Sequence, residues 1–313
     1  MMNFRVLFSA FLLVGLLSFS ACENTDNPEV KDIIVLAQET DNLSTLVAAL
    51  EQTGLTSALE ATGPFTVFAP TNEAFQDLLD SNAAWSSLSD IDNDLLTQVL
   101  LFHVTNGAVK AADLSDTYVK TLSEGPNDET IDLRILTTGG VTFNGDAAPI
   151  ATDIEADNGI IHTIDKVMLP PTVVDLALDN EAFSSLVAAL TRADLTINFV
   201  EILSGDGPFT VFAPTNAAFS ALLDSNDDWE TLGDIPLATL EAVLQYHVVN
   251  AANVQADQLT NEQEIVTLGG KLLIDLTDGA KIKTNTDQTV NIIITDVQGS
   301  NGVVHAIDAV LLP

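Results

Sequence analysis

The sequence predicts an α+β fold arranged as two similar domains in tandem. A long internal repeat indicates the two domains, because residues 31–170 are matched in order by residues 171–313. Within each copy, helical spacing of apolar residues comes first and strand-like alternation comes later. A length of 313 residues also favours two domains. Helices early and strands late make the class α+β.

Two sequence blocks define the repeat. Residues 63–72, GPFTVFAPTN, recur unchanged at 207–216, and residues 158–165, NGIIHTID, are matched by NGVVHAID at 301–308. The offset between the copies changes from 140 to 144 and then to 143, so short insertions in loops separate them. A unit of this length is too long for a solenoid repeat and suits an independent domain.

The first half of each copy is predicted to be mainly helical. The i, i+3, i+4, i+7 spacing of an amphipathic helix occurs at Leu43, Leu46, Val47 and Leu50, and Gly54 is expected to end that helix. A short buried strand is predicted from Phe65 to Phe68, stopped by Pro70 and followed by a helix capped by Thr71. Asp92 or Asn93 is expected to cap one more helix.

The last third of each copy is predicted to be strands joined by turns. Ile131, Leu133 and Ile135 alternate with other residues, as they do along a strand with one buried face. Turns are predicted at Gly139-Gly140 in the first copy and at Asp278-Gly279 in the second. The Pro170-Pro171 pair joins the copies almost without a linker, so we expect a stiff connection.

Acidic residues far outnumber basic ones. The chain has 45 Asp and Glu against 10 Lys and Arg, a formal net charge of −35. Nucleic-acid binding needs clustered Lys and Arg, so this balance argues against a nucleic-acid partner, and it disfavours docking onto an anionic membrane. Residues 31–170 carry 5 basic and 22 acidic residues and residues 171–313 carry 4 and 20, which we interpret as an evenly solvated surface.

The amino-terminal residues resemble a bacterial lipoprotein signal. Arg5 precedes an apolar run at 6–17, which is shorter than the roughly 20 residues of a membrane-spanning helix. Small residues follow, and then comes Cys22, the single cysteine of the sequence. In such signals, cleavage occurs before a cysteine that is then lipidated. Phe19 departs from the pattern, which usually has Leu three residues before the cysteine.

This resemblance implies a signal peptide at 1–21, lipidation of Cys22 and an acidic tether at 22–30. The alternative is an ordinary secretory signal with an incidental cysteine. Glu23 does not match the Asp that marks inner-membrane retention, so the expected location is the outer membrane, with membrane contact through the lipid anchor only. The sequence leaves open whether the domains face inward or outward.

The two repeated blocks resemble the motifs of the fasciclin-type (FAS1) adhesion domain. The TVFAPTN block is similar to the family's first motif, and the block that begins Asn-Gly and ends at Pro170 or Pro313 is similar to its second. The resemblance covers two full copies in tandem. It implies that each copy is a β-sandwich wedge with helices packed at one side.

The resemblance also implies candidate adhesion contacts. In animal members, a Tyr-His pair between the motifs and an Asp-Ile pair before the second motif are tied to integrin-dependent adhesion. Phe102-His103 replaces the Tyr-His pair in the first copy, whereas the second copy has Asp-Val in place of Asp-Ile. We expect adhesion through exposed loop residues around these pairs, without carrying over integrin as the ligand. The candidate contacts are Tyr246, His247, Asp153, Ile154, Asp296 and Val297.

All four histidines belong to the repeated blocks. Their apolar neighbours favour buried, hydrogen-bonded rings, so His103, His162 and His305 are interpreted as structural; ligand contacts or pH-sensitive switches are the alternative. The sequence contains no Gly-x-Ser-x-Gly elbow, His-Glu-x-x-His pair or phosphate-binding loop. We therefore expect no catalytic, cofactor or metal site, and the protein is not expected to be an enzyme.

Two functions are compatible with these patterns. The first is a lipid-anchored adhesion protein of the cell envelope, which presents two fasciclin-like domains to protein or glycan ligands at the cell surface. The second is a periplasmic scaffold or assembly partner without external adhesion. A fold-level resemblance supports a binding class and no particular ligand.

Overall fold

The structure is a computed structural model in which residues 31–313 are described. The predicted signal peptide at 1–21, the lipidation of Cys22 and the tether at 22–30 lie outside the described residues. Within 31–313, no single helix is long and apolar enough to span a membrane. Two consecutive helical segments, Ile33–Glu39 and Asp41–Thr53, are long and apolar enough only when taken together, and they are bent by 108° to each other. Their apolar side chains are buried in a core of the domain.

Each half of the described chain contains five α-helices and seven strands, together with short 3-10 turns. The helices of the first half are α1 (Ile33–Glu39), α2 (Ser44–Thr53), α3 (Thr56–Leu59), α4 (Asn72–Asp80) and α5 (Asn93–Phe102). Its strands are β1 (Phe65–Pro70), β2 (Val104–Asn106), β3 (Thr117–Glu124), β4 (Thr130–Leu136), β5 (Thr142–Phe143), β6 (Pro149–Ala156) and β7 (Gly159–Ile164).

The second half repeats this series of elements. Its helices are α6 (Val173–Leu178), α7 (Ser184–Leu190), α8 (Phe199–Leu203), α9 (Asn216–Asp224) and α10 (Leu237–Tyr246). Its strands are β8 (Phe209–Pro214), β9 (Val248–Asn250), β10 (Glu264–Thr267), β11 (Gly270–Asp275), β12 (Lys281–Lys283), β13 (Thr289–Gly299) and β14 (Gly302–Ile307).

The helix ends follow the local sequence signals. Gly54 ends α2 with a left-handed φ of 72°, a conformation that glycine adopts without steric cost. The Thr71 side chain accepts the backbone N–H of Ala74 at the start of α4, and Asp92 caps α5. Strand β1 runs two residues beyond its predicted end, because Pro70 still pairs with Ile164 although it has no N–H to donate.

The first and last strands of each half lie side by side. β1 pairs in parallel with β7 and antiparallel with β2, and β8 has the same relation to β14 and β9. The first sheet has the order β5-β4-β3-β2-β1-β7-β6, whereas the second has β10-β11-β12-β13-β14-β8-β9. The two edge strands of each sheet follow one another in the chain but do not pair. They are β5 and β6 in the first sheet and β9 and β10 in the second.

The central strands are covered on both faces, so each half has two apolar cores. On β1, Val67 and Ala69 face the core that the helices share, whereas Phe68 between them faces a second core formed by the strands. β8 divides its side chains in the same way, with Phe212 in the strand core. Alternation along a strand sends neighbouring side chains to opposite faces, which explains this division.

A polar seam joins the two halves. The buried carboxylate of Asp132 on β4 accepts the backbone N–H of Gln298 on β13 at 2.7 Å. Asn253 donates to the carbonyl oxygen of Pro126 at 3.1 Å, and Asn180 donates to the Tyr118 hydroxyl at 3.2 Å. These contacts, added to the short connection through Pro170-Pro171, fix one half against the other.

Candidate functional site

Tyr246 is buried, so the expectation that it lies exposed in a loop is wrong. It is the last residue of α10, and its side chain is fully enclosed in the strand core of the second half. Its hydroxyl donates to the carbonyl oxygen of Lys271 at 2.6 Å and accepts the N–H of Asn285 at 3.4 Å. The next residue, His247, is also buried. The pair has no exposed atoms with which to contact a ligand directly.

The first half places Phe102 where the second half places Tyr246. Phe102 is the last residue of α5 and is equally enclosed, in the strand core of its own half. The two copies therefore differ by an internal hydrogen bond from a phenol to the neighbouring strand, and their surfaces do not differ at this position.

Asp153 is a candidate contact that is both exposed and held in place by hydrogen bonds. It lies at an irregularity in β6 with a left-handed φ of 59°, a conformation that Asp tolerates better than most residues. Its N–H donates to Nδ1 of His162 at 3.2 Å, and its carboxylate accepts the N–H of Ala111 at 2.8 Å. The following residue, Ile154, is half-buried against the helix-facing core. One oxygen of Asp153 is thus held in place while the residue remains exposed.

The second half repeats this arrangement with less exposure. Asp296 has the same φ of 59°, donates its N–H to Nδ1 of His305 at 3.2 Å, and accepts the N–H of Ala256 at 2.7 Å. Its carbonyl oxygen accepts from Lys120 of the first half, and Val297 beside it is buried. The seam between the halves therefore reduces the access of a ligand to this pair, so Asp153 and Asp296 are not equivalent as surface groups.

His162 and His305 hold the aspartate irregularities. Each ring accepts a backbone N–H on Nδ1, so Nε2 carries the proton and donates to a carbonyl oxygen, that of Val109 or Val254, at 2.9 Å. Both rings are buried, and each lies about parallel to a phenylalanine on the adjacent strand. Burial lowers the pKa of His305 from its ordinary value.

His103 and His247 tie a helix end to the segment that follows the last strand. In each, Nδ1 donates to the carbonyl oxygen four residues earlier at 2.7 Å, and Nε2 accepts the N–H of Met168 or Leu311 at 2.9 Å. Burial lowers the pKa of both imidazoles to about 4. All four histidines have both ring nitrogens engaged by the backbone, which is a structural role.

The comparisons with known proteins give the family. The model of the Fasciclin domain family matches residues 41–170 and again residues 181–313. The chain belongs to the fasciclin domain family. The two halves are tandem fasciclin domains, each with helices packed on a seven-stranded sheet.

Named relatives include both animal and bacterial proteins. Human periostin is 32% identical over 83% of this chain, and pig transforming growth factor-beta-induced protein ig-h3 is 30% identical over 82%. The alignments span only 29% and 35% of those two proteins. An uncharacterized protein of Synechocystis sp. is 39% identical over 45% of this chain and 98% of its own length.

A solved structure shows the same fold. It is the FAS1 domain pair from fasciclin I, described as an insect cell adhesion molecule, and it covers 90% of this chain and 96% of its own length with a TM-score of 0.50. The sequence identity is 19%, so this likeness concerns the fold alone.

The fasciclin domains share an asparagine whose role the sequence analysis missed. The side-chain oxygen of Asn158 accepts the N–H of Ile33 at the start of α1, and its amide group donates to the carbonyl oxygens of Leu59 and Ala61. Asn301 makes the three corresponding bonds in the second domain. The sequence signal was present, because both copies of the second motif begin with Asn-Gly.

The glycine after each asparagine allows close contact between the first and last strands. A Cβ atom at Gly159 would lie 2.1 Å from the carbonyl oxygen of Phe65, and one at Gly302 would lie 2.2 Å from that of Phe209. Only glycine leaves room for this approach.

Some acidic residues in the described chain act as helix caps or ion-pair partners. No group of three or more His, Cys, Asp or Glu within residues 31–313 is placed to hold a metal ion. Two aspartates before α5 act as caps: Asp90 accepts the N–H groups of Ser86 and Ser87, and Asp92 caps α5.

Proposed function

We propose that this protein is an adhesion protein of the cell envelope, lipid-anchored at Cys22, which presents its two fasciclin domains to protein or glycan partners on matrix, surfaces or other cells. The observation that carries the proposal is the pair of complete fasciclin domains, the arrangement found in the pair from the insect cell adhesion molecule fasciclin I. The matches to periostin and ig-h3, which cover most of this chain, support a binding role.

The anchor and location are supported by sequence alone. An apolar run at 6–17 precedes the single cysteine, and the acidic stretch after it suits a tether. The mass of the intact protein extracted from membranes tests this part: we expect a chain that begins at Cys22 and carries added acyl mass. A Cys22→Ser variant serves as the control and should leave the membrane fraction. A mature chain that begins beyond Cys22 would contradict the anchor.

The proposed contact surface centres on Asp153. Asp153 is exposed and its carboxylate accepts the N–H of Ala111, whereas Tyr246 is buried and makes only internal contacts. Asp153→Asn keeps an oxygen that can accept the Ala111 N–H but removes the charge, and Asp296→Asn is the matched change at the less accessible site. We expect Asp153→Asn to reduce cell clumping about tenfold or more, a loss of about 1.4 kcal/mol, and Asp296→Asn to leave it near wild type.

Tyr246→Phe controls for the structural role, since it copies the residue of the first domain and should leave clumping unchanged. Clumping by Asp153→Asn at the wild-type level would show that the contact surface lies elsewhere.

Protease shaving of intact cells, followed by blotting for the second domain, tests the location. Loss of the blot signal without lysis is the expected result, because adhesion requires the domains outside the cell. Protection until the outer membrane is opened would exclude external adhesion and favour the periplasmic scaffold. A periplasmic marker protein, intact throughout, controls for lysis.

A further inference from the structure

The second domain contains an apolar pocket in its helical layer. The pocket has a volume of about 170 Å³ and lies among α6, α7, α8 and β8. Its floor includes buried Val173, Ala177 and Leu186, together with Val211 of the strand. Genuinely empty cavities in proteins are apolar, and one of about 150 Å³ lined by aliphatic and aromatic side chains takes up benzene.

The first domain has a much smaller cavity among the matching residues. Ile33, Ala37 and Val67 help to line it, it continues toward Leu100 and Val104 in the interior, and its volume is only about 10 Å³. Two features of the sequence account for the difference. Ile33 and Ile34 are each one methylene group larger than their counterparts Val173 and Val174. The connection from α7 to α8 occupies 191–198, whereas residues 54–55 connect α2 to α3.

The mouth of the pocket is apolar in the second domain and polar in the first. Leu178 lines the pocket and is 55% exposed, and the equivalent residue of α1 is Gln38. Val200 of α8 also lines it, where the first domain has Thr56. An exposed leucine at the entrance of an apolar cavity favours the entry of an apolar group over that of a hydrated one.

The lining offers no free hydrogen-bonding side chain. Among the described residues that line the pocket, Thr191 is the polar one, and its hydroxyl already donates to the carbonyl oxygen of Val187 at 2.8 Å. A charged or strongly polar group would therefore lose its hydration without compensation.

We propose that the second domain binds a small uncharged hydrocarbon group in this pocket, either an aromatic ring of the size of benzene or the end of an alkyl chain. This ligand site is independent of the proposed adhesion surface, because it lies in the helical layer and uses none of the candidate contact residues. The first domain has the same fold but only about 10 Å³ among the matching residues, and it does not bind such a group.

Titration of the full-length protein with benzene and with 1-hexanol, followed by saturation-transfer NMR, tests the site. We expect saturable binding of at least one probe, and the stronger probe distinguishes an aromatic from an aliphatic ligand. Ala177→Leu places a larger side chain in the pocket and should weaken binding at least about tenfold. Leu178→Gln copies the first domain at an exposed position that is safe for folding, and it should also weaken binding.

Gln38→Leu is the matched control in the first domain and should create no second site, since the cavity of about 10 Å³ there is too small for either probe. Three results would each overturn the proposal: no saturable binding of either probe up to its solubility limit, undiminished binding in both Ala177→Leu and Leu178→Gln, or a new equal site in Gln38→Leu. A folded spectrum of each variant is required before its affinity is compared.

Discussion

Each of the four buried histidines joins two stretches of backbone, and it can do so only as the neutral imidazole. One ring nitrogen must donate and the other must accept, as in His103, where Nε2 accepts the N–H of Met168. A proton added to Nε2 would place two donors face to face. The hydrogen bond between His103 and Met168 therefore depends on pH, because protonation of the imidazole breaks it.

Stability should fall in mildly acidic solution for this reason. Burial lowers the pKa of His103 and His247 to about 4 in the folded protein, and the ordinary value is near 6.5. Between these values the unfolded chain binds more protons, so the free energy of unfolding decreases as the pH falls through this window. Each histidine contributes up to about 1.4 kcal/mol per pH unit. Urea unfolding at pH 5.0, 5.8 and 6.5 measures the slope.

His103→Gln is the variant that isolates the effect, because it removes one titrating ring and leaves the carboxylates unchanged. We expect its slope to be smaller than that of the wild type by about one histidine's share. Equal slopes in the two proteins would contradict the assignment of a neutral, buried His103.

For single residues, the sequence predicted the burial of the histidines correctly and the burial of Tyr246 wrongly. Apolar neighbours such as Val104 pointed to buried rings, and the structure has them buried. The burial of Tyr246 was missed because the resemblance suggested a surface contact. Phe102 at the matching position carried the correct signal, since a position that accepts either residue is one where the ring fills a core.

The asparagine of the second motif shows how one side chain can fix several elements. Asn158 holds the first turn of α1 and the end of α3 against the start of β7, so it connects the helical layer to the sheet. Asn301 does the same for α6, α8 and β14. Such contacts between distant segments cannot be supplied by local propensity.

Asn158→Ala should therefore cost at least about 3 kcal/mol, because it removes three hydrogen bonds and leaves buried backbone groups unpaired. Asn301→Ala should cost a similar amount. Asn93→Ala, at an exposed position, is the control and should change stability by no more than about 0.5 kcal/mol. Urea unfolding curves with equal m-values give the comparison; a cost for Asn158→Ala as small as that of Asn93→Ala would refute the bridging role.

The sequence predicted individual elements well and their arrangement poorly. Caps at Thr71 and Asp92 are local signals, and α4 and α5 begin where these predict. The parallel pairing of β1 with β7 joins segments that are far apart in the chain, and no short pattern encodes it. The different openings of the two sheets also escaped prediction, because both copies carry the same two motifs and these motifs do not specify which edge strands are left unpaired.

The polar seam couples the two domains to each other through buried hydrogen bonds. Asp132 is nearly fully buried, is paired with Lys120 of its own domain, and accepts the backbone N–H of Gln298 from the other. Removal of a buried partner leaves the remaining group unsatisfied, which costs more than the bond itself contributes. The sequence predicted a stiff connection from Pro170-Pro171 alone and gave no sign of the polar contacts beyond it.

Asp132→Ala should uncouple the domains. We expect the wild type to unfold in one calorimetric transition and the variant to lose about 2 kcal/mol and to show two separated transitions. Asp146→Ala is the control: Asp146 is exposed and pairs with Lys166, and exposed pairs contribute only about 0–1 kcal/mol. A single, unshifted transition in Asp132→Ala would mean that the seam does not couple the domains.

The pairing of the first and last strands determines when the sheet of each domain can be completed during synthesis. β8 emerges early, but its parallel neighbour β14 is made about 90 residues later and then lies between β8 and β13. Such long-range pairing is slow to form, because the intervening chain must be ordered first. Until residue 307 has been made, the helices of the second domain have only an incomplete sheet to cover. A chain interrupted before Gly302 thus exposes the edges of two strands, which makes it a target for chaperones, proteases or aggregation.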